Sequence, residues 1–475
     1  MSGGHTLTQA LAKHVAHRKL GIPVNKVKSD EPAALRKVLV GVATGLENLL
    51  ERELKSLGIE GTFQKVAGGV QVEGTDDLLW RICLKSRIAE SVKLCLCDPF
   101  HAKDEKHLVN NLHAIPWGHY FPFFATMQDP PIKVESSRSR LFHTKMIERA
   151  VVDAIRAELR THVEEKGDPI RSMHARRGVQ RAAKVEVQLH HNECQIYLDG
   201  SGDLGRRLWR ETVGTLPLRE NLAAAIVLKT PFLKLLCEDR GVALWDPFCG
   251  AGTILLEALG IAMGHPAGSP RIRYPFYDFP CHSARRFSEV LSDLALTPHP
   301  NLANLTLLGT DMREQEVNGA RKNLTTFCER MPRQASPDYE PPLAAQPRLS
   351  GDDGTAAASS PSSSESQLPA KIKFVHTEPW KVGSYVDNCM IVTKVPYGRQ
   401  LGSEALRRIY QKFARLLLSR HDWRGVYCLA SRRDFKIVTG LDWRTELRFK
   451  NKDTVVELLS WSGGKKSWDS YYTDD

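Results

Sequence analysis

Over residues 35–100, the spacing of hydrophobic residues changes several times between the patterns typical of strands and of helices. An apolar run at residues 38–42 is typical of a short strand, and leucines at helical spacing predict a helix over residues 45–57. A second strand at 68–72 and a second helix over 76–88 follow. This strand–helix–strand–helix series predicts a small α+β domain over residues 35–100.

Farther along, residues 144–160 have helical periodicity and residues 184–189 have the pattern of a strand, so we expect a second domain at 101–205. Between these elements lies a cationic run without an acidic residue, made of Arg171, Arg176, Arg177, Arg181 and Lys184. Such a run can bind the phosphate groups of a nucleic acid. A solvated basic loop explains it equally well, and the two interpretations stay open.

From residue 206 to residue 475, strand and helix patterns alternate, which predicts a Rossmann-like α/β domain. The predicted strands are 243–245, 305–309, 372–375, 389–393 and 425–430. Residues 331–370 interrupt this alternation with a segment rich in Pro, Ser, Ala and Gly. Because that composition buries too little apolar surface to order a chain, we predict a disordered surface insertion.

Residues 1–34 have no acid before Asp30 and contain five Lys or Arg residues. This pattern fits either a mitochondrial transit peptide or a disordered basic tail. The chain has no secretory signal and no apolar run of 18 or more residues. We therefore expect an intracellular protein, cytoplasmic or mitochondrial, that does not span a membrane.

The formal net charge of +11 favours an acidic partner, with nucleic acid as the leading candidate, although general solubility is an alternative explanation. The ten cysteines form no Cys-x-x-Cys pair and no Cys/His set at zinc spacing. We therefore expect reduced thiols and no metal site. The sequence leaves the oligomeric state undetermined.

One octet, residues 246–253, contains the most specific chemistry of the chain: Asp-Pro-Phe-Cys-Gly-Ala-Gly-Thr. Apolar runs flank it on both sides, so it predicts a buried strand, a glycine turn and a helix start. Gly250 and Gly252 allow a tight turn and close approach of a ligand, and the helix start offers free N–H groups to an anion. The spacing matches neither a P-loop nor a dinucleotide fold. A tight turn without a ligand is the alternative.

Acidic residues follow the next two predicted strands. Asp311 ends the second, where a carboxylate can accept hydrogen bonds from the ribose hydroxyls of a nucleoside. Glu378 follows the third, where it can meet an adenine amino group. Either acid alone is more often a solvated strand-end residue, but their order after the glycine turn favours a nucleoside cofactor.

The fourth strand leads into Lys394-Val395-Pro396-Tyr397, at the place where amino-methyltransferases have Asn-Pro-Pro-Tyr. In that motif the Asn side chain and the first Pro carbonyl hold the exocyclic amine, and Tyr stacks on the flipped base. Methyl transfer then depends mainly on positioning. The octet likewise resembles the first motif of S-adenosylmethionine-dependent enzymes that methylate amino groups of nucleic acids.

With these motifs in one order, the chain resembles the THUMP-domain-containing large-subunit rRNA guanine-N2 methyltransferases. The resemblance implies a ferredoxin-like N-terminal domain, an RNA-binding THUMP domain and a Rossmann-like catalytic domain that uses S-adenosylmethionine. Besides the octet and 396–398, it rests on residues 44–47, 50, 53–54, 68–70, 86–89, 198–202, 207, 210 and 217–224.

The resemblance also assigns roles to individual residues. An rRNA or pre-ribosomal partner would be contacted by His143, Arg207 and Arg210 together with the cationic run. The catalytic set would be Lys394, Val395, Pro396 and Tyr397. The residues expected at the cofactor are Glu220, Asn221, Asp246, Phe248, Gly250, Gly252, Thr253, Asp311 and Glu378.

One departure from the family pattern is specific. Lys394 stands in place of Asn and Val395 in place of the first Pro. A charged lysine donates only, so it cannot accept a hydrogen bond from a guanine amine, and it opposes a sulfonium cation. Burial that neutralises Lys394, or a different target, would preserve activity. Otherwise the chain is a catalytically inactive RNA-binding relative, and the sequence leaves these possibilities open.

Overall fold

The computed structural model describes eleven stretches of the chain. These are residues 36–121, 129–166, 183–215, 217–238, 241–294, 297–330, 368–383, 386–397, 403–431, 433–451 and 454–463. The predictions for residues 1–34, for Arg171, Arg176, Arg177 and Arg181, and for nearly all of the insertion at 331–370 lie outside them.

The first domain alternates strands and helices in the order β1, α1, β2, β3, α2, β4. Its strands pair antiparallel in the order β2-β3-β1-β4, which is a ferredoxin-like arrangement. The predicted series lacked β2 and β4. Strand β2 is polar and largely exposed and so has no apolar period. The elements are β1 (Arg36–Gly41), α1 (Glu47–Ser56), β2 (Thr62–Val66), β3 (Gly69–Gly74), α2 (Leu78–Lys85) and β4 (Ser91–Cys95).

The next region extends the same sheet. Strand β4 pairs with β8, so one eight-stranded sheet continues across the predicted boundary at residue 100. Its far edge is β6, which lies parallel to β7. The elements are β5 (Phe100–His101), α3 (Glu105–His113), β6 (Ile132–Ser137), α4 (Thr144–Lys166), β7 (Val185–His190) and β8 (Glu193–Asp199).

The C-terminal domain has a seven-stranded sheet of order β11-β10-β9-β12-β13-β15-β14. The strands from β9 to β13 run parallel, and β15 is antiparallel to both of its neighbours. This Rossmann-like sheet confirms the predicted fold class. Its strands are β9 (Val242–Asp246), β10 (Leu305–Asp311), β11 (Lys371–His376), β12 (Cys389–Lys394), β13 (Val426–Ala430), β14 (Arg444–Asn451) and β15 (Thr454–Trp461).

Helices cover both faces of this sheet, and their apolar sides supply its two core layers. A helix lies between each pair of consecutive parallel strands from β9 to β13. Parallel strands in one sheet need such crossover connections, and the sequence shows them as amphipathic stretches between short apolar runs. The helices are α5 (Glu220–Lys229), α6 (Phe232–Cys237), α7 (Thr253–Ala262), α8 (Ala284–Ser292), α9 (Glu314–Arg330), α10 (Pro379–Val382), α11 (Ser403–Leu418) and α12 (Arg433–Thr439).

A buried ion network joins the two sheets. Glu257 on α7 has no exposed side-chain surface and accepts from Arg207 Nε at 3.0 Å and from Arg87 Nη1 at 2.8 Å. Arg207 also donates to the backbone oxygen of Arg87 at 2.8 Å. Because Arg87 follows α2 of the first domain, this network fixes the N-terminal sheet against the C-terminal domain.

The order of the parallel strands reverses between β9 and β12. The chain leaves β9 toward β10 on one side and returns to β12 on the other, so the helices that follow these strands diverge. In open α/β sheets such a switch point forms a crevice beyond the carboxyl ends of the strands, where ligands bind. The carboxyl ends of β9 and β12 therefore border the candidate site.

Within the described stretches, no helix is both long and apolar enough to cross a membrane. In the same part of the chain, no cluster of three or more His, Cys, Asp or Glu side chains has an arrangement suited to a metal ion. All ten cysteines lie in described residues and are free thiols.

Candidate functional site

The glycine turn joins β9 to α7 through two left-handed residues. Gly250 has φ of 51° and Gly252 has φ of 81°, values that L side chains rarely adopt. A Cβ at Gly252 would lie 2.8 Å from Phe374, so this glycine is required by packing. A Cβ at Gly250 would be 3.6 Å from Glu316 Oε2, so a ligand can come close to the backbone there.

Asp311 ties the end of β10 to this turn. Its Oδ2 accepts from Gly250 N at 3.0 Å, and its Oδ1 accepts from Arg313 N at 2.9 Å. Burial raises the pKa of Asp311 above its ordinary value, and these two backbone bonds oppose the rise. A carboxylate oxygen has a second lone pair, so both oxygens can still accept a ligand hydroxyl.

Asp246 ends β9 and is almost completely buried. Its Oδ1 accepts from Thr393 Oγ1 at 2.6 Å and from Phe248 N at 3.2 Å. Burial raises the pKa of Asp246 to about 7, and the hydrogen bond from Thr393 opposes this rise. The hydrogen bond between Asp246 and Thr393 joins the carboxyl ends of β9 and β12 across the switch point.

Lys394 is the last residue of β12 and lies among charged groups of the same crevice. Burial lowers the pKa of Lys394 to about 8, and the charges of Arg210 and Arg313 lower it as well, whereas Glu316 and Asp246 oppose the shift. The Lys394 ammonium lies 4.9 Å from the centre of the Tyr397 ring. Lysine therefore covers the ring that was predicted to stack on a base.

The remainder of the predicted catalytic motif is held by the surrounding core. Val395 is buried and donates from its backbone N to Leu429 O at 3.1 Å. The carbonyl of Pro396 accepts from Tyr410 Oη at 2.6 Å, so that oxygen already has a partner. Burial raises the pKa of Tyr397, whose side chain hydrogen-bonds Asn451. These contacts fix the backbone that follows β12.

Two residues of α9 that the sequence did not indicate hold a neighbouring segment over the glycine turn. Asn323 accepts from Thr212 N at 2.9 Å and donates to Ala251 O at 3.0 Å, which links residues 211–215 to the turn. Glu316 accepts from Thr215 N at 2.9 Å. We call residues 211–215 the strap. The sequence offers little indication of the role of Asn323, because a single Asn within a predicted helix is common and its hydrogen-bond partners are distant in the sequence.

Glu220 and Asn221 begin α5, beside the strap. Glu220 Oε2 pairs with Arg210 Nη1 at 3.0 Å, while its Oε1 is buried without a hydrogen-bond partner among the described residues. Burial raises the pKa of Glu220, and the charge of Arg210 opposes the rise. Asn221 donates to Ile88 O at 3.2 Å, and its Oδ1 is likewise buried and unpaired within the described part of the chain. Such orphaned acceptors fit a donor on a bound ligand.

The other predicted cofactor residues border the same crevice. Thr253 is the first residue of α7 and is buried, and the Phe248 ring packs against Phe413 with centroids 5.4 Å apart. Glu378 follows β11 at the start of α10, is partly exposed, and pairs with Lys381 at 3.0 Å. A hydrogen bond from Lys381 lowers the pKa of Glu378.

The structure corrects the expected RNA contact of Arg207 and places Arg210 in the crevice. Arg207 is buried, and all of its donors face Glu257 or backbone carbonyls, so it stabilises the domain contact and cannot reach an RNA phosphate. Arg210 donates to Leu218 O at 2.6 Å and to Val213 O at 3.0 Å from within the crevice. The prediction of an RNA contact by Arg207 was wrong because a sequence displays charge but not burial, whereas the RNA-binding role of Arg210 stays a prediction.

The remaining described members of the predicted RNA-binding set lie between the elements of the N-terminal region. His143 precedes α4 and contacts the Phe142 ring, which is 63% exposed, with centroids 4.2 Å apart. Lys184 precedes β7, is partly exposed and pairs with Glu186 at 2.6 Å. An exposed aromatic beside basic groups is suited to single-stranded nucleic acid.

The strand order and the acids that surround the glycine turn define a class I methyltransferase fold. Solved structures agree in fold. A possible methylase from Clostridium difficile 630 aligns with a TM-score of 0.67 at 21% identity, covering 91% of this chain and 100% of that one. SMU.472, a putative methyltransferase complexed with SAH, aligns with a TM-score of 0.65 at 19% identity, covering 92% and 100%.

Family models match two parts of the chain: an RlmL ferredoxin-like domain at residues 37–93 and an RMKL-like methyltransferase domain at residues 207–334. The ribosomal RNA large subunit methyltransferase K/L of Methylococcus capsulatus is 31% identical over 282 residues, which cover 59% of this chain and 36% of that protein. Its counterpart in Saccharophagus degradans is 31% identical over 268 residues, covering 56% and 34%. The match thus spans about a third of the length of these relatives. The predicted resemblance to this group is confirmed for the ferredoxin-like and methyltransferase domains, whereas the THUMP domain and the comparison with Asn-Pro-Pro-Tyr stay predictions.

Proposed function

We propose that the chain is an S-adenosylmethionine-dependent RNA methyltransferase that acts on a guanine N2 amine of large-subunit rRNA. The observation that carries this proposal is the convergence of Asp246, Asp311 and the glycine turn at the switch point of a methyltransferase-type sheet. The names of the relatives favour rRNA as the substrate, and the RMKL-like match covers these strand ends.

The residues of the crevice fit the proposed cofactor. Both oxygens of Asp311 can accept from ribose hydroxyls, and the partly exposed Glu378 can accept from an adenine amino group. Glu220 Oε1 and Asn221 Oδ1 are buried acceptors that suit the ammonium of an amino acid. Bound there, the cofactor would supply a methyl group activated by its sulfonium.

The RNA would reach this crevice from the N-terminal sheet. In this proposal residues 101–205 form a THUMP domain, and His143, Lys184 and the cationic run at Arg171, Arg176, Arg177 and Arg181 bind the RNA. A target base flipped into the crevice would meet Tyr397 and the backbone of Val395. An rRNA or pre-ribosomal substrate would place the protein wherever ribosomes are made, in the cytoplasm or in a mitochondrion.

A specific observation favours a second candidate, a relative that binds RNA without transferring methyl groups. Lys394 occupies the place of the acceptor side chain, and its ammonium lies against the Tyr397 ring. With a pKa of about 8, Lys394 is mostly protonated at pH 7 and then accepts no hydrogen bond from an amine. Loss of one positioned group at a reacting centre costs on the order of 100-fold in rate.

A paired measurement separates the two candidates. Calorimetry would measure binding of S-adenosylmethionine, and labelled cofactor would measure transfer to large-subunit rRNA. Binding followed by incorporation supports the enzyme, whereas binding without incorporation at pH 7 and pH 9 supports the inactive relative. If the double variant Lys394→Asn/Val395→Pro then gains transfer, the defect lies in the motif. Absence of cofactor binding would overturn the proposed function.

A further inference from the structure

Helix α11 has one buried face and one basic face. Leu406, Tyr410, Phe413 and Leu417 are buried against the sheet. The cations of the helix lie on the opposite, exposed side, and we call them the basic helix face: Arg407, Arg408, Lys412 and Arg415. Their spacing places them along one side of the helix over about 12 Å.

The charge of this face is unbalanced. Glu404 is the only acid in α11, and it pairs with Arg408 at 2.5 Å. An ordinary solvated helix face alternates the two signs, because neighbouring pairs of opposite charge stabilise it and like charges destabilise it. Lys412 has no acidic partner within α11. Its ammonium lies 4.4 Å from the centre of the Trp380 ring, and this contact holds the lysine charge at the surface.

The position of α11 connects this face to the crevice. Helix α11 is the next described helix after β12, and the crossover places its first turns at the carboxyl edge of the sheet. Tyr410 donates to the carbonyl of Pro396 at 2.6 Å, so the helix is anchored directly to the motif at the crevice. Arg407 lies one turn before Tyr410, on the exposed side.

We propose that the basic helix face binds the phosphate backbone of the RNA whose base enters the crevice. This inference rests on the proposed function and adds a second RNA contact, on the side of the crevice away from the N-terminal sheet. Phosphate contacts fix the position of a nucleic acid without reading its sequence. A base flipped into the crevice needs a backbone held in this way, because the motif that receives the base is rigid. An excess of arginine with a single acid is complementary to a polyanion.

The test compares two triple variants that each remove three cations. Arg407→Gln/Arg408→Gln/Arg415→Gln alters the basic helix face. Lys234→Gln/Lys371→Gln/Arg444→Gln is the matched control, because these exposed residues lie on α6 or at the starts of β11 and β14, at the opposite edge of the sheet. Binding of a large-subunit rRNA transcript would be measured at several salt concentrations, and the cofactor affinity and circular dichroism of each variant would be recorded.

We expect the first variant to bind RNA on the order of 100-fold more weakly near 0.1 M salt, with a salt slope smaller by about 2, since each phosphate contact contributes about 0.7–0.9. The control and Arg407→Lys/Arg408→Lys/Arg415→Lys should bind RNA as the original chain does. Equal RNA binding by the first variant and its control would overturn this inference alone. Absence of RNA binding by the unaltered protein would overturn both it and the proposed function.

Discussion

The hydroxyl of Thr393 donates a 2.6 Å hydrogen bond to Oδ1 of Asp246, and both groups are buried. Asp246 ends β9 and Thr393 lies one residue before the end of β12, so the bond closes the floor of the crevice. These residues are separated by 147 positions in the sequence. The relationship makes the carboxyl ends of the two central strands one rigid unit.

Replacing Thr393 with Val removes this donor while preserving the side-chain shape. We expect the free energy of unfolding to fall by about 1–3 kcal/mol, because a buried carboxyl group loses a hydrogen bond. Urea denaturation would measure the change. Thr306→Val on the exposed side of β10 is the matched control and should change stability little. Equal effects of the two substitutions would contradict the assigned role.

The raised pKa of Asp246 predicts a pH dependence of stability. The folded protein retains this proton up to about pH 7, whereas the unfolded chain releases it near its ordinary value of 3.8. The contribution of Asp246 is therefore fully present below pH 3.8 and is lost as the pH rises to 7. Asp246→Asn retains an oxygen for Thr393 and does not titrate. The stability of the original chain relative to this variant should fall between pH 4 and pH 7, and a constant difference in urea denaturation would contradict the shift.

Lys394 should make the crevice discriminate by charge between two forms of the cofactor. Its ammonium repels the sulfonium of S-adenosylmethionine but not the neutral sulfur of S-adenosylhomocysteine. Because the pKa of Lys394 is lowered to about 8, the affinity for S-adenosylmethionine relative to S-adenosylhomocysteine should rise from pH 7 to pH 9. Calorimetry with both ligands would measure the ratio, in which titration of their shared amino group cancels.

The matched variants for this prediction are Lys394→Met and Lys394→Arg. Methionine removes the charge at similar length, so the ratio should be higher at pH 7 and independent of pH. Arginine retains the charge, so the ratio should remain low up to pH 9. A ratio that follows pH equally in all three proteins would show that another group is responsible.

Asn323 should be needed for the strap. Asn323→Ala leaves the backbone N–H of Thr212 and the carbonyl of Ala251 without partners, so we expect a loss of about 2–4 kcal/mol in stability and weaker cofactor binding. Thermal unfolding and calorimetry would measure the two effects. Asn318→Ala, on the exposed face of the same helix, is the control. Unchanged cofactor affinity with lowered stability would limit Asn323 to a structural role.

Much of the central sheet was predictable from the sequence. Strands β9, β10, β12 and β13 are mostly buried, so they stand out as short apolar runs separated by amphipathic helices. The glycine turn was predictable for a local reason as well, since Gly250 and Gly252 adopt left-handed backbone angles that favour glycine. Strands β14 and β15 were both missed, and the exposed residues of β14 follow no apolar alternation.

By itself, then, the sequence determined the fold class, the strand ends and the chemistry of the motif around Lys394, because these depend on local periodicity, glycine geometry and side-chain type. Only the tertiary structure decided which charges are exposed. It buried Arg207 against Glu257, which lies 50 residues away, and it left Arg407 at the surface. Both are arginines in basic stretches, and their roles differ because burial and ion pairing arise from contacts between distant segments.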